Sequence, residues 1–328
     1  MLESILDSLQ VVTFPTKTDF RSIKEREVAL FQGPMGWAEF SPFLEYGAQE
    51  CVPWLVSGIE AAFLPAPTAL RNKIPINATL PAVNESAKIA EVLSWFPGCE
   101  VVKIKVGENL AEDLARIREV RRLLPGARIR IDVNGSWSVE YARTALAAIY
   151  EEGDLEYVEQ PCQSLEELRE LKQRLTLPIL IAADEVIRKS SQPLSLELAG
   201  AVDIVMLKVA PLGGIRASLE IAEKYGLPVV VSSALESAVG ISYGLNLAAA
   251  LPDLPYACGL GTGELLAMDL AHLPIIDGAL AITRVEPEAS LLEASAVDGQ
   301  RLEFWRERVR QTWSAGAGNW ITRLGWCS

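Results

Sequence analysis

From residue 74 onward, short runs of apolar and β-branched residues alternate with longer stretches in which apolar residues recur every three or four positions. The first pattern is that of buried strands and the second that of amphipathic helices. Eight runs stand out: IPINATL (74–80), VVKIKV (101–106), ARIRIDV (127–133), LEYVEQ (155–160), PILIAAD (178–184), VDIVMLKV (202–209), PVVVSS (228–233) and YACGLG (256–261). Between them lie ENLAEDLARIREVRRLL (108–124), SLEELRELKQRL (164–175) and GIRASLEIAEKYG (214–226), the last ending in a glycine after its apolar stripe, as a helix stop should. The polar residues closing five runs, Lys105, Asp132, Glu159, Asp184 and Lys208, are 27, 27, 25 and 24 positions apart by subtraction, and Ser233 follows after 25 more. Each interval holds a helix and two short loops. Eight right-handed β-α units in succession predict an α/β fold of the TIM-type (β/α) barrel kind; the periodicity also allows an open doubly wound sheet.

Both ends of the chain break this rhythm. Residues 1–73 read as strands followed by a helix, and the tail, 285–328, carries Trp305, Trp313, Trp320 and Trp326. Aromatic side chains bring large apolar areas, so these four predict anchors packing back on the N-terminal segment. The expected organisation is an N-terminal segment (1–73), a barrel (74–284) and a returning tail (285–328).

At 328 residues, half of them hydrophobic, the chain is long enough for one large barrel and a smaller companion. A formal charge of −13 would repel nucleic acid and anionic membranes, so neither is expected as a partner. MLESILDSLQ lacks the basic start of a signal peptide, and no apolar run reaches the roughly 18 residues of a membrane span, which makes a cytoplasmic location the expectation. Cys51, Cys99, Cys162, Cys258 and Cys327 contain no CxxC pair and read as reduced thiols. The oligomeric state is left open, a monomer included.

Charges occupy places where a barrel core should be. Inward and outward residues alternate along barrel strands, and catalytic groups gather at the strands' C-terminal ends. Lys103 and Lys105 are two apart, so they share a face, and two inward lysines are costly unless anions or a function hold them there. Asp132, Glu159 and Asp184 end three consecutive strands, which run about 4.8 Å apart. Three such carboxylates repel one another, and a divalent cation is the simplest resolution. All-oxygen ligation points to Mg²⁺, with Mn²⁺ able to substitute. An ion pair or helix cap accounts equally well for any one of these acids alone. Lys208, four strands round the circle from Lys105, faces it across the mouth. A base, a metal and a second cation around one pocket suit removal of a proton beside a carboxylate, so a small-molecule carboxylate is the expected substrate.

Taken together, the KxK, DxN, EQP and ADE segments and the Lys208 strand resemble the enolase superfamily, in its muconate-lactonising branch, where a lysine base and Mg²⁺ act on an enediolate. The mandelate-racemase branch would call for a histidine base after the seventh strand, whereas the one histidine is His272, beyond the eighth run. SSALESAVG (232–240) and GLGTGELL (259–266) are similar to the corresponding strand ends of the o-succinylbenzoate synthase family, and GWAEFSPF (36–43) and INATLPAV (76–83) resemble its short actinobacterial-like members. The resemblance implies an α+β capping domain built from the N-terminal segment and the tail. It implies Lys105 as general base and then acid, Lys208 as the cation facing the intermediate, Lys103 as their electrostatic partner, and Asp132, Glu159 and Asp184 as Mg²⁺ ligands. The implied reaction is dehydration of 2-succinyl-6-hydroxy-2,4-cyclohexadiene-1-carboxylate. The loop Thr18, Asp19, Phe20, Arg21 and Ser22 would cover the pocket, with Arg21 pairing a substrate carboxylate. Ser232, Ser233 and the backbone at Gly261 and Thr262 would receive the succinyl carboxylate, though tight turns explain the same glycines. Racemisation of N-succinylamino acids or epimerisation of dipeptides would use the same two lysines, and a Schiff-base aldolase would use Lys208.

Overall fold

The computed structural model describes residues 1–20, 23–107 and 109–326. The chain opens with a short helix, α1 (Leu2–Asp7), rather than with the expected strand. Three antiparallel strands follow, β1 (Gln10–Phe20), β2 (Ile23–Gly33) and β3 (Gly36–Phe40), in the order β1-β2-β3. Helix α2 (Ala48–Phe63) packs on this sheet so closely that a Cβ at Gly58 would come within 2.8 Å of the Glu39 carbonyl oxygen.

The first apolar run divides in two. Its start, β4 (Lys73–Pro75), pairs antiparallel with a late strand, while β5 (Ala78–Leu80) opens the barrel. Six parallel strands follow: β6 (Val101–Lys105), β7 (Arg128–Asp132), β8 (Tyr157–Glu159), β9 (Ile181–Ala183), β10 (Ile204–Lys208) and β11 (Val229–Ser232). Their order, β5 to β11 without interruption, is that of successive β-α units. Among the described residues the eighth run forms no strand, which corrects the expectation. Cys258 bridges Ile76 and Gly259 bridges Ser232, so two residues close the curled sheet. A Cβ at Gly259 would meet Ser232 Oγ at 2.6 Å, so a larger residue there would push the Ser232 hydroxyl aside. Late in the chain β12 (Ala279–Ala281) returns to β4.

The intervening helices are α3 (Ser86–Ser94), α4 (Leu110–Leu123), α5 (Val139–Glu151), α6 (Leu165–Arg174), the single turn α7 (Glu185–Arg188), α8 (Ile215–Tyr225) and α9 (Ala238–Ala250). Their apolar stripes face the strands, as Ala142, Ala145, Leu146 and Ile149 do in α5. Asn109, Ser138 and Ser164 cap α4, α5 and α6 by accepting first-turn N–H groups. Gly226 ends α8 in the left-handed conformation, as its position in the sequence predicts.

Inside the barrel, below the strand ends, Tyr157, Ala182, Ile204, Met206 and Val230 form a separate cluster. Arg130, fully buried, lies over the rings of Tyr157 and Tyr256 and bonds Glu156, Asn77 and the Ala257 carbonyl. The barrel is therefore filled, and its chemistry is confined to the mouth.

The tail comprises α10 (Ala289–Ala294), α11 (Gly299–Thr312) and α12 (Gly318–Arg323). Trp305 is fully buried, meets Phe40 edge-on at 5.8 Å and donates from Nε1 to Glu27 on β2. Trp313, Trp320 and Trp326 are only partly buried, and Trp320 lies against Gly213 of the barrel. Cys51, Cys99, Cys162 and Cys258 are unpaired, and among the described residues no helix is long and apolar enough to cross a membrane.

Candidate functional site

Parallel registry brings the candidate residues to one level. Lys105 stands opposite Asp132, and Asp132 opposite Glu159, in the β6-β7-β8 ladder. Glu159 pairs with Ala182, which places Asp184 two residues further along the next strand, just past its end. On the far side Lys208 pairs with Ser232. Lys103, Asp132, Glu159, Asp184 and Lys208 are all buried.

The side chains interlock as ion pairs. Lys105 Nζ donates to Asp132 Oδ2 at 2.5 Å and to Asn134 Oδ1 at 2.7 Å. Lys103 Nζ lies 3.2 Å from Asp132 Oδ2 and 3.0 Å from Glu159 Oε2, and Lys208 Nζ reaches Asp184 Oδ2 at 2.6 Å. Each carboxylate is thus drawn to an ammonium rather than to its fellows. Among the described residues no three of His, Cys, Asp and Glu form a ready-made ion-binding group, because lysine ammoniums stand between the three strand-end carboxylates.

The donor chemistry nonetheless fits a hard cation: three buried carboxylates lie on adjacent strand ends, and Asp184 Oδ1 accepts no hydrogen bond although Arg188 Nε lies 3.3 Å away. Burial, followed by the charges of Asp132 and Asp184, pushes Glu159 up to about 7 despite Lys103. Burial opposes ionisation of Asp132, but Lys105 and Lys103 outweigh it and hold that carboxyl well below the usual range. Lys103 is raised, the pull of Glu159 and Asp132 exceeding the effect of burial. Lys105 moves the other way, lowered by burial with help from the Lys103 charge, against Asp132.

Four residues to which the sequence alone assigns no role, Gln160, Asn134, Glu185 and Arg188, support this set. Gln160 accepts the Asp184 N–H at 2.9 Å and donates to the Cys162 carbonyl, from a left-handed backbone with φ of 40°. Asn134 links Lys105 to Glu185 Oε1, and Arg188 pairs with both Asp184 and Glu185. Asn134 and Gln160 sit within DxN and EQP, which read as turn signals, and Arg188 is four residues beyond Asp184 at helical spacing.

The candidate substrate residues meet at the ends of β11 and the closing segment. Ser233 Oγ lies 2.5 Å from Thr262 Oγ1 and donates to the Gly259 carbonyl. Gly261 has an ordinary negative φ, and a Cβ there would meet the end of the Ile76 side chain at 2.9 Å and the Phe96 ring at 3.2 Å, so close packing rather than a left-handed turn is what a side chain would disturb. Arg21 and Ser22 lie outside the described residues, as do the side chains of Asp19 and Phe20. His272 is exposed.

Curled parallel sheet, antiparallel cap and strand-end charges together define a barrel of known type. Residues 88–285 match the family model for the enolase C-terminal domain-like fold and residues 11–62 that for the enolase N-terminal domain-like fold, and the chain belongs to the enolase superfamily. Among curated relatives it is 49% identical over 317 residues to the o-succinylbenzoate synthase of Mycobacterium tuberculosis (strain H37Rv), covering 95% of this chain and 96% of the relative. It is 50% identical over 313 residues to the o-succinylbenzoate synthase of Mycobacterium ulcerans, covering 94% of each. In fold it is similar to the muconate lactonizing enzyme from Pseudomonas putida, with a TM-score of 0.73 at 23% identity over 88% of this chain and 98% of that one. The L-Ala-D/L-Glu epimerase from Bacillus subtilis aligns with a TM-score of 0.70 at 20% identity over 84% and 95%. Members of the superfamily generally use Mg²⁺.

Proposed function

We propose that the protein is an o-succinylbenzoate synthase, a hydro-lyase that converts 2-succinyl-6-hydroxy-2,4-cyclohexadiene-1-carboxylate to o-succinylbenzoate by syn-dehydration in menaquinone biosynthesis, in the cytoplasm. The observation that carries this reading is the pair of lysines on β6 and β10, each bonded to one of the strand-end carboxylates. The near-half identity to curated synthases over almost the whole chain supports the choice of substrate. Lys105, held by Asp132 and Asn134, would take the proton from the ring carbon that bears the carboxylate. Lys208, whose Nζ lies 2.6 Å from Asp184 Oδ2, would face the enediolate charge, and Lys103 would balance Glu159. The C–O bond to the ring hydroxyl then breaks, and the proton returned by Lys105 converts the departing hydroxide to water, leaving an aromatic ring. Asp132, Glu159 and Asp184 would hold Mg²⁺, or Mn²⁺ in its place, which when bound withdraws charge from the substrate carboxylate and acidifies the neighbouring C–H. Ser232, Ser233, Gly261 and Thr262 would contact the succinyl arm and Arg21 a carboxylate. As structural units we propose an N-terminal capping segment (1–73), a barrel (74–284) and a tail (285–328).

An ultraviolet assay for o-succinylbenzoate, run beside a racemisation assay on N-succinylamino acids, tests this reading. Turnover should vanish in excess chelator and return with Mg²⁺ or Mn²⁺, and Asp184→Asn should weaken metal binding measured by calorimetry while leaving the fold. Full dehydration after proven metal removal, or racemisation without dehydration, would overturn it.

A further inference from the structure

Two buried acids of the N-terminal segment reach across to the barrel and receive helix N–H groups there. Glu60 of α2 accepts the Arg216 N–H at 3.2 Å and its guanidinium at 2.6 Å, at the start of α8. The N-cap of that helix is Gly214, which has no side chain to do so. Glu39, in the GWAEFSPF motif on β3, does the equivalent for α9. Its Oε2 accepts from Ser237 N at 3.2 Å, Ser237 Oγ at 2.6 Å and Gly240 N at 3.0 Å, while Oε1 accepts from Ser41 Oγ at 2.5 Å.

Arg26 on β2 grips the same segment. It donates to the Leu235 carbonyl at 3.0 Å, to that of Ala234 at 3.4 Å and to that of Ser41. Leu235 has a φ of 63°, a conformation that is costly for a residue with a Cβ and persists only when its surroundings enforce it. Asp269 accepts the Ala238 N–H at 2.9 Å. The turn between β11 and α9 is thus held by Arg26 and Glu39 of the N-terminal sheet and by Asp269, immediately after Ser233, whose hydroxyl meets Thr262.

We propose that Glu39, together with Arg26, is a positioning residue: it fixes Ala234–Gly240 so that Ser233 and Thr262 stand at a set distance from Lys208 and read the substrate's side arm. Naming that substrate rests on the reading above, whereas the positioning does not. A carboxylate is the right group, because both its oxygens only accept, and four donors converge on them. Glutamine would turn an N–H₂ toward Ser237 or Ser41. The first-turn amides of α9 are also spent on Glu39 and Asp269, which leaves recognition of an anionic arm to hydroxyls and to the neighbouring loop.

The test compares Glu39→Gln with Glu60→Gln, using hydrogen exchange of the 232–240 segment and steady-state kinetics. In Glu39→Gln, exchange there should rise about tenfold and KM about tenfold, with kcat within about threefold of the parent. In Glu60→Gln, KM should stay unchanged even where thermal stability falls as much. The KM effects of Glu39→Gln and Ser233→Ala should be less than additive. Ser237→Ala, a milder lesion of the same bonds, should act in the same direction and serves if Glu39→Gln does not fold. Unchanged exchange and KM in a folded Glu39→Gln, or equal KM rises in both Gln variants, would overturn the proposal. If the wild-type protein fails to turn over the substrate, the functional reading falls while hydrogen exchange still decides the positioning.

Discussion

Lys105 and Lys208 are both lysines bonded to an aspartate, yet the proposed chemistry asks opposite things of them. Lys105 must lose its proton and regain it, whereas Lys208 need only stay positive. Arginine keeps its charge and is not deprotonated in proteins, so it imitates the second role and not the first. Lys105→Arg should therefore lose dehydration by about a thousandfold or more, while Lys208→Arg keeps a measurable fraction. Racemisation should fail in both. Equal loss of dehydration in the two variants, each folded and metal-bound, would remove the purely electrostatic role of Lys208. The lysines and acids were legible in the sequence because charge at a regular step through apolar runs is costly unless it serves a site. Gln160, Asn134 and Arg188 were less so: they act through neighbours, and their local spacing also fits an ordinary turn or helix.

Elements were legible wherever hydrophobic periodicity alone decides them, as in β6, β7, α6 and α8. The eighth run escaped because its apolar, glycine-bearing sequence looks like a strand, although it has only two bridging residues to contribute. The bonds from Glu39 to α9 and from Glu60 to α8 escaped for another reason: their partners lie 198 and 156 positions away or more, beyond any local pattern. Gly214 records one of them. It holds a φ of 116°, and a Cβ there would overlap the Glu60 carboxylate. Gly214→Ala should cost about 3 kcal/mol in urea unfolding, from backbone strain and the displaced acid together. Gly200→Ala, at a φ of 70° with nothing near its Cβ, should cost about 1 kcal/mol. Equal costs would mean that Glu60 moves aside freely. At the start of α9, burial pushes Asp269 up to about 7 against the pull of the Ala238 and Leu270 N–H groups. Between its unfolded value near 4 and that figure the folded protein holds a proton that the unfolded chain has released, so this stabilising contribution is present below about pH 4 and lost as pH rises through 7. Asp269→Asn should consequently gain stability relative to wild type as pH goes from about 5 to 8. A difference that stays flat over that range would place Asp269 as an ordinary carboxylate.

At the scale of the molecule, two segments far apart in sequence meet in one structure over the barrel. Trp305 of the tail fills a place against Phe40, and Glu27 of β2 accepts both from its indole and from Arg301 at 2.7 Å. Arg308 adds hydrogen bonds to the carbonyls of Phe43 and Tyr46. Glu39 and Arg26 lie in this same sheet, so the tail lies behind the residues that hold the turn after β11. Trp305→Ala opens a large cavity and should cost about 3–5 kcal/mol, whereas Trp305→Phe keeps most of the apolar contact and should cost about half as much. The location of the damage is the sharper test. If sheet and tail form one packed unit that can loosen apart from the barrel, hydrogen exchange in Trp305→Ala should quicken at Val28–Phe31 and at the 232–240 turn, while β6 to β9 keep their protection. KM should then rise with little change in kcat, by the same route as in Glu39→Gln. A uniform loss of protection through sheet and barrel together would show that the two unfold as one cooperative body, and the tail would then support overall stability without a separate influence on the substrate loop.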